Sequence, residues 1–338
     1  MSLRKLLVLS CLLLLLCIPA GCGSSGDSGK PVHIKIGHTD SPARSTHLWS
    51  VRLGEYLEQK APGRFVVEVF PNGTLGDTPD LIAGVKQGTV TIAFDLSAAI
   101  AAVAGPEAAG IDLPYLYPTY EDWVTGTFKN GGLELFNSSL KAYGYYCFDM
   151  YYNGMRQVIS RTGTYHNRSD LQGQKIRIAQ NELNVELWYA LGANPSPMAW
   201  GDVVPSLKRG QIDALDHSLG VFNDFDLHAI APHITLTNHA SSPFPIITSL
   251  AWINSLDPKL REILESGIRE MARQQRDMER AKEIGYLERF AKEGAAILEL
   301  SAEEKAAFIK AVQPVYDNWR RKTNDRVMDA WLATARKN

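Results

Sequence analysis

Two hydrophobic rhythms alternate along the chain. Val32, Ile34 and Ile36 are separated by His33 and Lys35, the two-residue period of a strand with one buried face. From Thr46 to Gln59 the spacing lengthens to three and four, with Leu48, Val51, Leu53, Tyr56 and Leu57 in step, which predicts a helix. Phe65 to Phe70 predicts a second strand. A helix ending near Gln87 with Gly88 as its cap leads into a third, Val90 to Phe94. This β-α-β-α-β order predicts a parallel sheet with helices on its faces.

The second half repeats the theme, with strands expected at Tyr145 to Met150, Lys175 to Ala179 and Gln211 to Leu215, and helices at Asn181 to Leu191 and Gly201 to Arg209. The segments VKQGTVTIAFD from Val85 and LKRGQIDALDH from Leu207 share one order: helix end, basic residue, glycine, strand. Aligned on Gly88 and Gly210, Asp95 falls opposite His217. Ligands of open α/β sheets bind beyond the carboxyl ends of strands, so each half would offer a polar group there.

From Pro258 to about Glu293 apolar residues recur at three- and four-residue steps without an internal proline. A helix of that length spans roughly 50 Å at ~1.5 Å per residue, more than one small lobe, so it is expected to cross two. A final amphipathic helix is expected from Ala302 to Asn318. The fold expected is a two-lobed α/β chain of the periplasmic-binding-protein type (class II-like). Its first lobe would hold residues 31–153 plus 243–282, and its second 154–242 plus 283–338. About 300 residues exceed what a single core usually serves, which favours two lobes.

The N-terminus changes the picture from a cytosolic protein to an exported one. Arg4 and Lys5 precede the apolar run Leu6 to Ile18, which ends at Ala20, Gly21 and Cys22. The run is too short and too early for a spanning helix of the mature chain, so residues 1–21 read as a signal peptide. Cys22 at this boundary looks like a lipobox cysteine, although Pro19 stands where a branched aliphatic is usual. Residues 22–30, rich in Gly and Ser, would then be a lipid-anchored linker. Cys11 and Cys17 leave with the signal, so Cys147 has no partner for an internal disulfide. A formal net charge of −2 offers no basic surface for nucleic acid.

Candidate chemistry centres on Arg177, which interrupts the apolar strand around Ile176 and Ile178 and points to the opposite face. A guanidinium is expensive to desolvate unless it meets an anion, and its planar fork matches a carboxylate. Either a bound carboxylate or a structural Asp or Glu satisfies this. Asp213, Asp216 and His217, followed by His228, His233 and His239, leave open an exported enzyme or a metal-binding lipoprotein. There is no nucleophile elbow, HExxH, phosphate-cradling loop or dinucleotide fingerprint.

Four segments carry a more specific resemblance: LPYLY at Leu113 to Tyr117, YNGMRQ at Tyr152 to Gln157, DLQGQKIRIAQN at Asp170 to Asn181, and the long stretch Leu191 to His217. With FPNGTLGDTPDLIAGVKQG from Phe70 to Gly88, they resemble the DctP-type substrate-binding proteins of TRAP transporters over nearly the whole mature chain. The resemblance implies a receptor, not an enzyme, that needs no cofactor, closes on a small organic acid and delivers it to separate membrane permease subunits. Arg177 matches the family arginine that salt-bridges the substrate carboxylate, Arg156 a second cleft arginine, and Trp200 an aromatic that lines the pocket. His217 stands where many members carry asparagine and Asp216 where they carry glutamate, the latter a position at which some 2-oxo-acid receptors bind a cation. His217 would recognise a hydroxyl, an oxo group or a second carboxylate, or be a satisfied structural histidine. Asp95 would come from the first lobe, as a ligand acceptor or the cap of a helix near Ser97, and Tyr151 from the crossover near the hinge. Trp49 is read as core.

Overall fold

A computed structural model describes residues 29–336; the expected signal peptide, Cys22 and nearly all of the expected linker lie outside the described residues. Ten strands form one hydrogen-bonded sheet: β1 (Val32–Gly37), β2 (Phe65–Phe70), β3 (Ile92–Phe94), β4 (Tyr145–Ser160), β5 (Lys175–Ile178), β6 (Asn194–Pro197), β7 (Ala214–Ser218), β8 (His233–Leu236), β9 (Ser241–Ser249) and β10 (Ala296–Glu299). The order is β2-β1-β3-β9-β4-β7-β5-β6, with β8 on β4 and β10 on β8.

The two halves of this sheet follow one plan. In the first, β2, β1 and β3 run parallel and β9 closes antiparallel against β3. In the second, β6, β5 and β7 run parallel and β4 closes antiparallel against β7. The similarity between the segments around Gly88 and Gly210 is therefore structural: both glycines cap a helix in the left-handed conformation, at φ 80° and 71°, and both lead into the third parallel strand of their half. Asp95 and His217 lie at corresponding strand ends.

β4 joins the halves. Tyr145 to Met155 pair with β9, and Arg156 to Ser160 pair with β7, so the strand exchanges neighbours between Met155 and Arg156. Gly154 just before the exchange has φ 98°, and a Cβ there would lie 2.7 Å from the Cβ of Ser218, so glycine is required on both counts. Strand pairing runs ten residues beyond the expected Met150 because Tyr151 to Ser160 are buried on both faces and lose the period-two signal.

Three buried clusters fill the layers. The first gathers Ile34, Trp49, Leu53, Ile92, Phe94 and Tyr151 against Leu264 and Met271; the second gathers Leu207, Leu215, Phe222 and Ile234 against Phe290. Leu264, Met271 and Phe290 belong to a single helix, Pro258–Lys292, of 35 residues, which spans both lobes as its apolar spacing predicts. The third and largest cluster holds Trp123, Tyr152, Trp188, Trp319 and Trp331.

The expected helix from Ala302 to Asn318 is broken. It ends at Ala311, and a new one, Gln313–Lys322, starts with Pro314, whose ring and missing N–H are tolerated in a first turn but not in a helix interior. A third, Asp325–Thr334, packs on the helices Tyr120–Phe128 and Gly132–Lys141 and on the turn at 106–112. Its Trp331 donates Nε1–H to the carbonyl of Glu107 at 2.8 Å and covers Gly110, where a Cβ would come within 2.2 Å of the indole. No described helix is long and apolar enough to cross a membrane.

Candidate functional site

Arg177 sits on β5 with only 4% of its surface exposed. Its Nε and Nη2 both donate to the carbonyl of Met198, at 3.1 and 2.7 Å, and its guanidinium lies 5.3 Å from the ring centre of Trp200. Among the described residues it forms no ion pair. Burial draws its pKa down to about 10; Asp216 opposes that shift and Arg156 adds to it. The structural ion pair left open by the sequence is thus not what Arg177 makes. A buried cation without a counter-charge is unfavourable by itself and becomes favourable when an anion arrives.

Arg156 lies where β4 changes partners and is held rigidly. Its Nε donates to Asp216 Oδ2 at 2.8 Å and its Nη2 to the Asp216 carbonyl at 2.8 Å. The same Oδ2 pairs with His239 Nε2 at 3.1 Å, and His239 Nδ1 meets the Thr237 hydroxyl at 2.8 Å. Burial keeps His239 neutral, so Nε2–H donates to Asp216 and Nδ1 accepts from Thr237. Although burial pushes the other way, Arg156 and His239 hold the Asp216 carboxyl well below the usual carboxylate range. Asp216 is therefore the anchor that aims Arg156. No group of three or more His, Cys, Asp or Glu among the described residues is placed to hold a metal ion.

His217 is buried beside these groups, with its ring 5.3 Å from that of Trp200. Burial, then Arg156 and Arg177, push its pKa far down. The Ser218 N–H donates to its Nδ1 at 2.9 Å, which fixes the neutral tautomer with the proton on Nε2. His217 thus presents a single donor.

Asp95 and Tyr151 are engaged within the first half. Asp95 accepts from the hydroxyls of Thr39 and Thr78 at 3.3 and 2.5 Å and from the Leu96 N–H at 2.7 Å, just before the helix Ser97–Ala104. Burial raises its pKa to about 6. Tyr151 packs edge-on against Phe94 and places its hydroxyl 3.2 Å from that of Ser50. The structure thus brings Arg156, Arg177, Trp200, Asp216 and His217 together, with Asp95 and Tyr151 facing their own core.

Pattern alone did not single out three further residues, Arg44, Asp112 and Ser241, and it named His239 only for an enzyme or metal cluster. Arg44, in front of the helix Ser45–Lys60, donates to Asp224 at 2.6 Å and to the side-chain Oδ1 of Asn153, tying the first half to the second. His239 completes the Asp216 pair. Asp112 and Ser241 face a cavity of about 20 Å³ that is also lined by Ser97, Ala98, Arg156 and Asn184. Ala98 also borders a larger space of about 490 Å³ between the helix Ser97–Ala104 and the segment Asn181 to Leu183 with Trp319 and Lys322. Arg177, Trp200 and His217 border neither space.

Residues 36–322 match the family described as bacterial extracellular solute-binding protein, family 7 (DctP). The 2,3-diketo-L-gulonate-binding periplasmic protein YiaO of Escherichia coli is 27% identical over 246 residues, 72% of this chain and 74% of that protein. A TRAP periplasmic solute binding protein from Shewanella oneidensis with bound succinate superposes with a TM-score of 0.83 at 21% identity, covering 90% of this chain and all of the other. The sugar acid binding protein DctPAm from Advenella mimigardefordensis, in complex with galactonate, gives 0.83 at 24% identity over 90% of this chain and 98% of its own. These two likenesses concern the fold. With the family match spanning nearly all of the described sheet and both arginines, the chain belongs to the DctP family of bacterial extracellular solute-binding proteins.

Proposed function

We propose that this protein is an extracytoplasmic receptor of a TRAP transporter that binds a small organic acid through a salt bridge from Arg177 and hands it to membrane permease subunits. The observation that carries the reading is the unpaired, buried guanidinium of Arg177, aimed by Met198 and Trp200 beside a second arginine whose own charge Asp216 already meets. A receptor rather than an enzyme accounts for this, because the site holds donors for an anion and no activated nucleophile. The Ala20-Gly21-Cys22 boundary supports a lipid anchor to a membrane on its extracytoplasmic side, with the Gly/Ser segment as tether.

A micromolar ligand is held by ~8 kcal/mol, and charge-assisted hydrogen bonds contribute about 1.5–3 kcal/mol each. Arg177 with Arg156 and the Nε2–H of His217 supplies most of that. Contacts across the halves, of which Arg44 to Asp224 is one, favour the closed arrangement of the lobes. The experiment is a thermal-shift panel of aliphatic, oxo, hydroxy, aromatic and sugar acids against the mature chain. A ligand at 100 times its Kd should stabilise by ~2.7 kcal/mol, which reads as several degrees. Shifts confined to acids support the receptor. A shift with zinc or a neutral solute and with no acid overturns it.

A further inference from the structure

The cavity between Asp112 and Ser241 is not bordered by Arg177, Trp200 or His217, yet its walls are incompletely satisfied. Asp112 lies at the end of the 3-10 turn 106–112, and its Oδ1 accepts from the Ser97 hydroxyl. Its Oδ2 is shut off from solvent and has no hydrogen-bond partner. Ser241, 3% exposed at the start of β9, has a hydroxyl in the same condition. Both residues line the same small cavity, and Arg156 forms part of its wall. Two buried polar atoms left unpaired in one place are unusual in a folded protein and call for a group that bonds to both.

The chemistry of the walls selects that group. Burial raises the Asp112 pKa to about 7, so near neutral pH its Oδ2 accepts when ionised and donates when protonated, while Ser241 Oγ does either. A hydroxyl satisfies both at once, giving its proton to Asp112 and receiving one from Ser241. A hydroxyl serves either state of Asp112, whereas a second ligand carboxylate, with no proton to give, fits only the protonated one. An ammonium has no lone pair for Ser241 and would face Arg156. About 20 Å³ admits one group of hydroxyl or water size. Arg156 links this space to the acid site, since its charge acts on Arg177 and on Asp112 alike.

We propose that Asp112 and Ser241 form a hydroxyl-binding subsite, so that the ligand is a hydroxylated acid rather than a plain mono- or dicarboxylate. This rests on the acid-receptor reading and narrows it. A site built to bond a hydroxyl discriminates strongly against the analogue that lacks one, because its own polar groups are then left unpaired.

The test is calorimetric titration of the mature chain with acids that differ by one hydroxyl: glycerate against lactate, malate against succinate, and galactonate against each of its monodeoxy forms. At least one pair should show the hydroxylated member binding tenfold or more tightly. That ratio should fall to within about twofold in Ser241→Ala and in Asp112→Asn, with circular dichroism confirming that each variant is folded. Ser241→Ala removes a single oxygen and decides the matter if Asp112→Asn does not fold. A ratio unchanged in the folded variants, or no hydroxyl preference in any pair that binds, would mean the cavity holds a structural water and overturns the subsite while leaving the receptor intact. If none of these acids, and no other, binds to the wild type, the receptor reading fails first and the subsite with it.

Discussion

Replacing Arg177 by alanine should raise the Kd for the acid ligand by about a hundredfold or more. Two charge-assisted bonds at ~1.5–3 kcal/mol each are lost, and 1.4 kcal/mol is a factor of ten. Arg177→Lys should recover little, since the planar fork that meets both carboxylate oxygens is replaced by a single ammonium. Stability should move the opposite way. The depressed pKa of Arg177 corresponds to at most ~3 kcal/mol of unfavourable burial in the empty receptor. Arg177→Met, of similar length and apolar, should therefore raise the melting temperature of the ligand-free protein by a few degrees while abolishing the ligand-induced shift. Binding within a few-fold of wild type in Arg177→Ala would show that the acid is held elsewhere.

The second large effect belongs to Asp216, which touches Arg156 and His239 from a fully buried position. Removing one member of a buried pair leaves the other charge uncompensated, at a cost of about 3–5 kcal/mol. Asp216→Asn should lower the melting temperature by roughly 5–10 °C at neutral pH and loosen the aim of Arg156, weakening acid binding as well. The pH dependence has a definite sign. The folded-state pKa of Asp216 is depressed, so its contribution is fully present above the ordinary aspartate pKa of about 4 and is lost progressively as the pH falls below that value. The gap in melting temperature between wild type and Asp216→Asn should thus be widest above pH 5 and narrow below pH 4. A gap that stays constant through this range would show that Asp216 is not held as the ion.

The sequence was most legible where periodicity meets turn chemistry. The strand-helix-strand order of both halves, the glycine caps at Gly88 and Gly210 and the length of the helix Pro258–Lys292 all leave a periodic or local signature, and each is found in the fold. Arg177 was legible because a charged residue inside an apolar strand has few explanations. Segments buried on both faces were not. Tyr151 to Ser160 and β9 show no alternation, and the pairing that makes them strands lies about ninety residues away for Tyr151 to Met155 and about sixty for Arg156 to Ser160. Apolar spacing continues across the break at Pro314 and so conceals it, although the proline itself marks it. The three additional residues of the site share one property with His239. Arg44, Asp112, His239 and Ser241 acquire significance only through partners distant in the chain, such as Asp224, Arg156 and Asp216. Asp95, which the alignment of the two halves brought forward, occupies the expected strand end but spends its oxygens on Thr39, Thr78 and Leu96.

The most direct test of the central claim, that a carboxylate is what Arg177 recognises, is calorimetric titration of the mature protein with an acid from the thermal-shift panel and with the primary amide of the same acid. The two differ by little more than the charge and the second oxygen that accepts from the guanidinium. The account predicts binding of the acid in the micromolar range or tighter and an amide at least a hundredfold weaker. Equal affinity for acid and amide would contradict it.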